Sequence, residues 1–159
     1  MKYFLPEYLK MNNPSLSKET REKHEREWTL ACKRYAKYVN DNKGIFTKSF
    51  LNEYFKSGFH DYIIKEISLK YITKSIWNVE VRLVKDNRLF ILESRGVVSY
   101  SNKAAEINSS PLNCYYTYGE FFLDEKGLWN HNFLFGDENE VNVASKRFVF
   151  KKSIIKVGS

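Results

Sequence analysis

The stretch that decides the fold class is Trp77-Asn78-Val79-Glu80-Val81-Arg82-Leu83. Its apolar and polar residues alternate strictly, which is the two-residue period of a β-strand that buries one of its faces. The dipeptide Asp86-Asn87 follows as a turn, and residues 88–95 return as a second strand. Residues 77–95 therefore predict an antiparallel β-hairpin.

The strand pattern extends in both directions from this hairpin. Residues 63–71 precede it with the same period, and Gly96 predicts a bend or bulge before residues 97–100 continue the second arm. Further strands are predicted at residues 114–123, 128–135 and 141–150, with an extension at 154–157 and a loop over 102–113. No helix long enough to cross over separates these strands, so we predict an antiparallel meander of six to seven strands.

Two helices are predicted ahead of the strands. Ser17 is placed to cap the first, which should run to about Lys43 and stop at Gly44. Its apolar face comprises Trp28, Ala31, Cys32, Tyr35, Ala36 and Val39. The second helix should span residues 47–56, with Thr47 as its N-cap and Gly58 as its stop. Its apolar face comprises Phe50, Leu51, Tyr54 and Phe55.

Length and composition agree with one α+β domain. With 159 residues and 43% hydrophobic content, the chain can bury a core without disulfide or metal. We expect a single domain over residues 1–159, with a helical segment at about 15–57 and a sheet segment at about 59–157. The long first helix and the short second helix should pack on a mostly antiparallel sheet.

Charge and cysteine content point to a basic cytoplasmic protein. The net charge of +7 favours an anionic partner, and most of the excess lies in residues 1–75. Cys32 and Cys114 have no second cysteine at metal or redox spacing, which is typical of reduced cytosolic thiols. The apolar run at the start is too short for a signal peptide, and no stretch of about 18 apolar residues occurs. We therefore expect cytoplasmic localisation and no membrane partner.

Catalytic chemistry has only weak candidates in this sequence. His60 and Asp61 are adjacent and could bind a metal if His131 lay beside them, although they could equally bond backbone groups at a helix-to-strand corner. Glu80, Glu93 and Glu120 could converge in a cleft, but outward-facing strand positions commonly carry Glu. No nucleophile elbow, phosphate loop or dinucleotide fingerprint is present, so we predict no metal and no cofactor.

Basic residues supply the candidate binding surfaces. Lys146-Arg147 and Lys151-Lys152 flank Phe148-Val149-Phe150, a pattern that fits either base stacking by an RNA-binding sheet or a lysine-protected edge strand. On the first helix, Lys33, Arg34 and Lys37 form either a solvated helix face or a basic contact surface.

Three short segments carry a resemblance to known proteins. They are Met1-Lys2-Tyr3-Phe4, Phe59-His60-Asp61 and His131-Asn132-Phe133-Leu134-Phe135. In this order the chain resembles an uncharacterised group of bacterial proteins in domain-of-unknown-function families, with helices followed by a Leu/Phe-His-Asp doublet that opens an antiparallel sheet. Its general build is also similar to immunity proteins that neutralise toxins. The resemblance implies binding without catalysis.

The expected function is therefore a protein-interaction module, for example an inhibitor or immunity-like protein, whose partner has an acidic surface. A nucleic-acid-binding protein that uses basic and aromatic surface residues is the alternative. A metal-dependent hydrolase using His60, Asp61 and His131 is the third hypothesis.

Overall fold

A computed structural model describes residues 2–103, 115–136 and 139–154 of the chain. The chain divides into two compact units, Met1–Thr47 and Lys48–Ser159. The helices are α1 (Lys18–Asp41) and α2 (Lys48–Ser57), and short 3₁₀ segments span Pro6–Asn12 and Lys43–Ile45. The strands are β1 (Tyr62–Tyr71), β2 (Trp77–Lys85), β3 (Arg88–Lys103), β4 (Tyr115–Leu123), β5 (Trp129–Phe135) and β6 (Asn139–Ile154). The predicted α+β class with an antiparallel sheet is confirmed.

Three predictions fall wholly or partly outside the described residues: Cys114, most of the loop over 102–113, and the segment 154–157 beyond Ile154. Within the described parts of the chain, no helix is both long enough and apolar enough to cross a membrane.

In the first unit, α1 begins as predicted. The Ser17 hydroxyl accepts a hydrogen bond from the Thr20 N–H at 3.2 Å, the geometry of an N-cap. The helix ends at Asp41, because the backbone N–H and the side-chain amide of Asn42 both bond the Tyr38 carbonyl. Gly44 lies in the following 3₁₀ turn and is not the helix stop, so the predicted boundary is two residues too late.

The packed face of α1 is narrower than predicted. Ala31, Tyr35 and Val39 are buried, whereas Ala36 is exposed. The prediction is wrong at Ala36, which lies about 100° around the helix from Tyr35. The Phe4 ring lies 5.2 Å from that of Tyr35, so the segment before α1 packs on the same face.

In the second unit, α2 packs against the sheet through Phe50. Its ring makes edge contacts with Phe121, Phe148 and Phe150 at centroid distances of 4.9–5.7 Å. The predicted apolar face is wrong at Phe55, which is 52% exposed. The second buried residue of α2, after Phe50, is instead the charged Glu53.

The six described strands form a closed antiparallel barrel in the order β1-β2-β3-β6-β5-β4. This order differs from the predicted meander, because β3 pairs with β6 and not with β4. Two three-stranded meanders, β1-β2-β3 and β4-β5-β6, are thus joined through β3 and β6 on one side and β1 and β4 on the other. The inner face carries the core residues Val79, Val81, Leu83, Phe90, Leu92, Phe121, Phe133, Val141 and Val143.

The predicted irregularity at Gly96 is confirmed. Gly96 has φ +61°, and the pairing of β3 with β6 shifts by one residue between Val97 and Ser99. The Gly96 N–H bonds the Asn78 side chain at 3.0 Å, which anchors the bend to β2. Asp86 and Asn87 also have positive φ, as a tight hairpin turn requires.

Candidate functional site

Two carboxylates lie side by side on the outer face of the barrel. The register places Glu80 of β2 directly opposite Glu93 of β3, and both are almost buried. Opposed like charges on neighbouring strands are unfavourable unless each is neutralised. We call the surface around them the charged outer face. It comprises Glu66, Lys70, Glu80, Arg82, Glu93, Arg95, Arg147 and Lys151.

Glu80 is neutralised by two cations. Lys70 Nζ lies 2.8 Å from one oxygen and Arg82 Nε lies 2.6 Å from the other. Arg82 also reaches Glu66 at 3.4 Å. Desolvation raises the pKa of Glu80, but the hydrogen bonds from Lys70 and Arg82 outweigh it and leave the pKa below its usual value. Glu80 is therefore an ionised carboxylate that holds its cations in place.

Glu93 is neutralised in the same way. Arg95 Nη2 lies 2.8 Å and Lys151 Nζ lies 3.0 Å from the same oxygen of Glu93. The hydrogen bond from Arg95 is the main cause that lowers the pKa of Glu93 to about 2, and burial only partly opposes it. This carboxylate stays charged at neutral pH, and so low a pKa makes it a weak base.

Arg147 adds a cation that the carboxylates do not neutralise. It is exposed, and the register places it opposite Arg95 on the neighbouring strand. Over the described residues its guanidinium makes no ion pair, and Arg95 Nε is buried without a hydrogen-bond partner. Two arginines directly opposite each other repel. An anion bound between them would offset that repulsion and use the remaining donors.

Lys151 and Lys152 are consecutive but serve opposite faces. Lys152 Nζ lies 2.7 Å from Glu53 of α2, and the Tyr62 hydroxyl donates to the same carboxylate at 2.7 Å. Desolvation raises the pKa of Glu53, but these two hydrogen bonds leave it below its usual value. Lys152 also lies 5.4 Å from the centre of the Phe90 ring. Its charge is thus used to hold α2 on the barrel.

Phe148 and Phe150 point toward the core of the second unit. Phe148 lies 4.9 Å from Phe121, and Phe150 lies 5.7 Å from Phe50 and 6.4 Å from Phe90 between ring centroids. They are thus on the opposite side of β6 from Arg147 and Lys151. Arg147 and Lys151 therefore do not share a surface with the aromatic rings, whereas Lys152 lies on the same side of β6 as Phe150.

The remaining basic candidates are exposed. Lys146 lies across from the Gly96 bend, where its aliphatic stem would be 3.4–3.5 Å from a Cβ added to the glycine. In the first unit, Lys33, Arg34 and Lys37 are exposed on α1, and Lys37 pairs with Asp41 at 2.6 Å.

His60 and Asp61 form an exposed pair at the corner between α2 and β1. His60 Nδ1 lies 2.8 Å from an Asp61 oxygen. The corner is held by the backbone: the His60 N–H bonds Ser57 and the Asp61 N–H bonds Tyr116. Phe59 and Asp61 both have φ near +60°, an unusual conformation for residues with side chains. Phe59 is fully buried, so its packing holds this corner in place.

His131 lies in the core. It is 1% exposed, its ring stacks 4.3 Å from that of Phe121, and its Nε2 lies 3.3 Å from the Tyr116 hydroxyl. Desolvation lowers the pKa of His131 to about 3, so it is neutral at physiological pH. Burial raises the pKa of Tyr116 well above its usual value. Gly119 leaves room for the Tyr116 hydroxyl, with which a Cβ at that position would collide.

The histidines and Asp61 are therefore not assembled as the hydrolase hypothesis requires. Among the described residues, no three His, Cys, Asp or Glu side chains are grouped so that they could hold a metal ion. Glu120 is also separate from Glu80 and Glu93: it is fully buried on β4, where Asn132 donates to it at 3.2 Å.

Sequence reasoning missed four residues of the charged outer face, namely Glu66, Lys70, Arg82 and Arg95. A signal existed for the two arginines, because Glu80 and Arg82 share a strand face at a spacing of two, and Glu93 and Arg95 repeat that spacing. Glu53 had no comparable signal, because a glutamate in a helix is usually solvated.

A scan against protein-family models and a search of curated proteins gave no match to this chain.

Proposed function

We propose that this chain is a non-catalytic protein-binding module that holds an acidic partner against the charged outer face. The observation that carries the proposal is the pair of opposed arginines, Arg95 and Arg147, of which the exposed Arg147 makes no ion pair among the described residues. A carboxylate is the natural occupant, because the planar guanidinium fork matches its geometry. An inhibitor or immunity-like protein is one form that such binding would take.

The neighbouring ion pairs support this proposal because they restrain the cations before a partner arrives. Glu93 holds Arg95 and Lys151, and Glu80 holds Lys70 and Arg82. Long side chains lose about 0.5–1.5 kcal/mol each when an interface immobilises them, and side chains already held lose less. The remaining positive charge speeds association with an acidic surface.

The packing of Phe148 and Phe150 favours a protein over a nucleic acid. Sequence-tolerant binding of single strands depends on aromatic rings that stack on bases beside cationic side chains. These two rings instead contact Phe50, Phe121 and Phe90. A nucleic acid on the charged outer face would be held by backbone charge, with an affinity that falls steeply as salt rises.

The test is capture of partners from the host lysate at physiological salt, with and without nuclease. Tagged wild-type protein is compared with Arg147→Glu and with Lys48→Glu, which makes the same charge change at the exposed start of α2. We expect a near-stoichiometric protein that resists nuclease, is retained by Lys48→Glu, and is lost with Arg147→Glu.

Two results would contradict the proposal. Recovery of nucleic acid alone, removed by nuclease, would move the nucleic-acid candidate to first place. Equal retention of a protein partner by wild type and Arg147→Glu would place the contact elsewhere on the chain.

A further inference from the structure

A second surface lies at the turn between β1 and β2. We call residues 70–77 the hairpin tip. Three of its apolar side chains are strongly exposed: Tyr71 at 76%, Ile72 at 61% and Ile76 at 47%. Single exposed apolar residues are ordinary, but several together on one turn mark a contact surface.

The turn is ordered by its own hydrogen bonds. The N–H groups of Ile72 and Thr73 bond the Ile76 carbonyl at 2.8 and 3.0 Å. The Thr73 hydroxyl accepts a bond from the Ile76 N–H at 3.1 Å. The two isoleucines are thus held outward by a fixed backbone. Exposure here is a property of the folded turn.

An aromatic group supports the base of the tip. The Trp77 ring stacks on Tyr71 at 6.5 Å and meets the edge of Tyr100 at 6.0 Å. Tyrosine and tryptophan favour the zone between water and hydrocarbon, where an apolar ring and a polar atom are both satisfied. The aliphatic residues stand at the end of the tip, with the aromatic residues behind them.

The charge of the tip selects its partner. Lys74 is exposed beside the apolar residues, Lys70 is exposed but pairs with Glu80 at 2.8 Å, and residues 67–79 contain no Asp or Glu. A second copy of the tip would bring like charges together, so self-association is disfavoured. An anionic lipid surface complements both features, because headgroups attract Lys74 while the acyl boundary accepts the isoleucines.

We propose that the hairpin tip inserts Ile72 and Ile76 into the interface of an anionic membrane, with Lys74 at the headgroups. This is a contact with the membrane surface and involves no crossing segment. The expectation of no membrane partner came from the lack of such a segment. Because the charged outer face is defined by other residues except for Lys70, this surface is separable from the proposed partner site.

The test is sedimentation of the purified chain with phosphatidylcholine vesicles, with and without phosphatidylglycerol. Wild type should bind the anionic vesicles roughly tenfold more strongly than the neutral ones. The double variant Ile72→Ser, Ile76→Ser should lose roughly tenfold of that binding, because two buried aliphatic side chains are removed. Both positions are exposed, and circular dichroism of the variant verifies its fold.

Arg147→Glu is the matched control, since it changes the charged outer face and leaves the tip intact. It should keep vesicle binding within about twofold, because it removes no inserted residue. Three results would overturn the proposal: no binding by wild type, equal binding by the double variant, or a loss with Arg147→Glu as large as that of the double variant. The last result would assign vesicle binding to the charged outer face.

Discussion

Lys151 and Lys152 are neighbours in the chain, yet they belong to different parts of the molecule. Lys152 faces inward and closes an ion pair with Glu53 of α2, while Lys151 faces outward and shares Glu93 with Arg95. Glu53 has Lys152 at 2.7 Å and a second, exposed cation, Lys56, only at 4.0 Å, whereas Glu93 has two cations within 3.0 Å. A run of basic residues is therefore not a surface by itself, because the strand period divides it between a structural and a binding role.

The largest expected effect separates the inner and outer faces by pH. The pKa of His131 is about 3 in the folded chain and 6.5 in the unfolded chain. Between these two pH values the unfolded chain binds a proton at His131 and the folded chain does not. The neutral His131 therefore leaves the free energy of unfolding unaffected by pH above pH 6.5. Below pH 6.5 the free energy of unfolding should fall by roughly 1.4 kcal/mol per pH unit. Glu93, with a folded pKa of about 2, contributes stability above pH 4.5 that is lost as the pH falls toward 2.

Urea unfolding between pH 7 and pH 4.5 checks this prediction, because His131 affects the free energy of unfolding in that interval and Glu93 does so only below it. His131→Phe should remove much of the pH dependence in that interval, although it also takes a partner from the Tyr116 hydroxyl. Glu93→Gln should leave the dependence there unchanged. A full slope in His131→Phe would show that another group titrates.

The second effect tests how tightly the inner face is packed. Gly119→Ala places a methyl group against the buried Tyr116 hydroxyl, and should lower the free energy of unfolding by about 2–3 kcal/mol through overpacking. Gly44→Ala is the matched control, because no atom lies within 4 Å of its added Cβ and its φ is ordinary. Thermal unfolding of both variants measures the difference. Equal stability would mean that Tyr116 moves aside freely.

The third effect compares the two lysines directly. Lys152→Ala removes a charged hydrogen bond from Glu53, whose side chain is only 5% exposed, and should cost about 2 kcal/mol. Lys151→Ala should cost less than about 1 kcal/mol, because its side chain is half exposed and Arg95 still neutralises Glu93. Chemical unfolding of the two variants gives the answer. Equal losses would remove the distinction between the faces.

The smallest effect concerns the opposed arginines. Arg147→Gln relieves repulsion with Arg95 and should raise the free energy of unfolding by a few tenths of a kcal/mol. The same variant should weaken capture of an acidic partner. Lys48→Gln, which removes an exposed charge elsewhere, provides the comparison in both measurements. A loss of stability with Arg147→Gln would indicate that Arg147 is held by a favourable contact.

The parts of the fold that depend on neighbouring residues could be predicted from the sequence. The alternation around Val81, the Ser17 cap and the Gly96 bulge each act locally, and the structure has all three. The pairing of β3 with β6 depends on residues far apart in the chain, and no local pattern indicates it.

The site was harder to predict for a similar reason. The face on which Arg147 and Lys151 lie follows from the strand period, but Glu93, the carboxylate that pairs with Lys151, comes from another strand. Hydrophobicity predicts that Phe55 is buried and Glu53 is exposed, but the structure has the reverse. Glu53 can be buried because Lys152 and Tyr62 donate hydrogen bonds to its carboxylate. Such compensation requires the tertiary structure.

The closure of the barrel between β1 and β4 has a further consequence. Among the described residues, two pairs join across it, Tyr62 with Tyr116 and Ile63 with Tyr115, whereas β1 pairs with β2 from Ile63 to Tyr71. Over the part of the chain that the structure describes, opening this seam breaks few hydrogen bonds, so it should cost far less free energy than global unfolding. Amide hydrogens at the seam should exchange with solvent while those between β2 and β3 remain protected. The barrel is then a curved sheet that this short seam closes, and the seam lies beside the corner that Phe59 anchors.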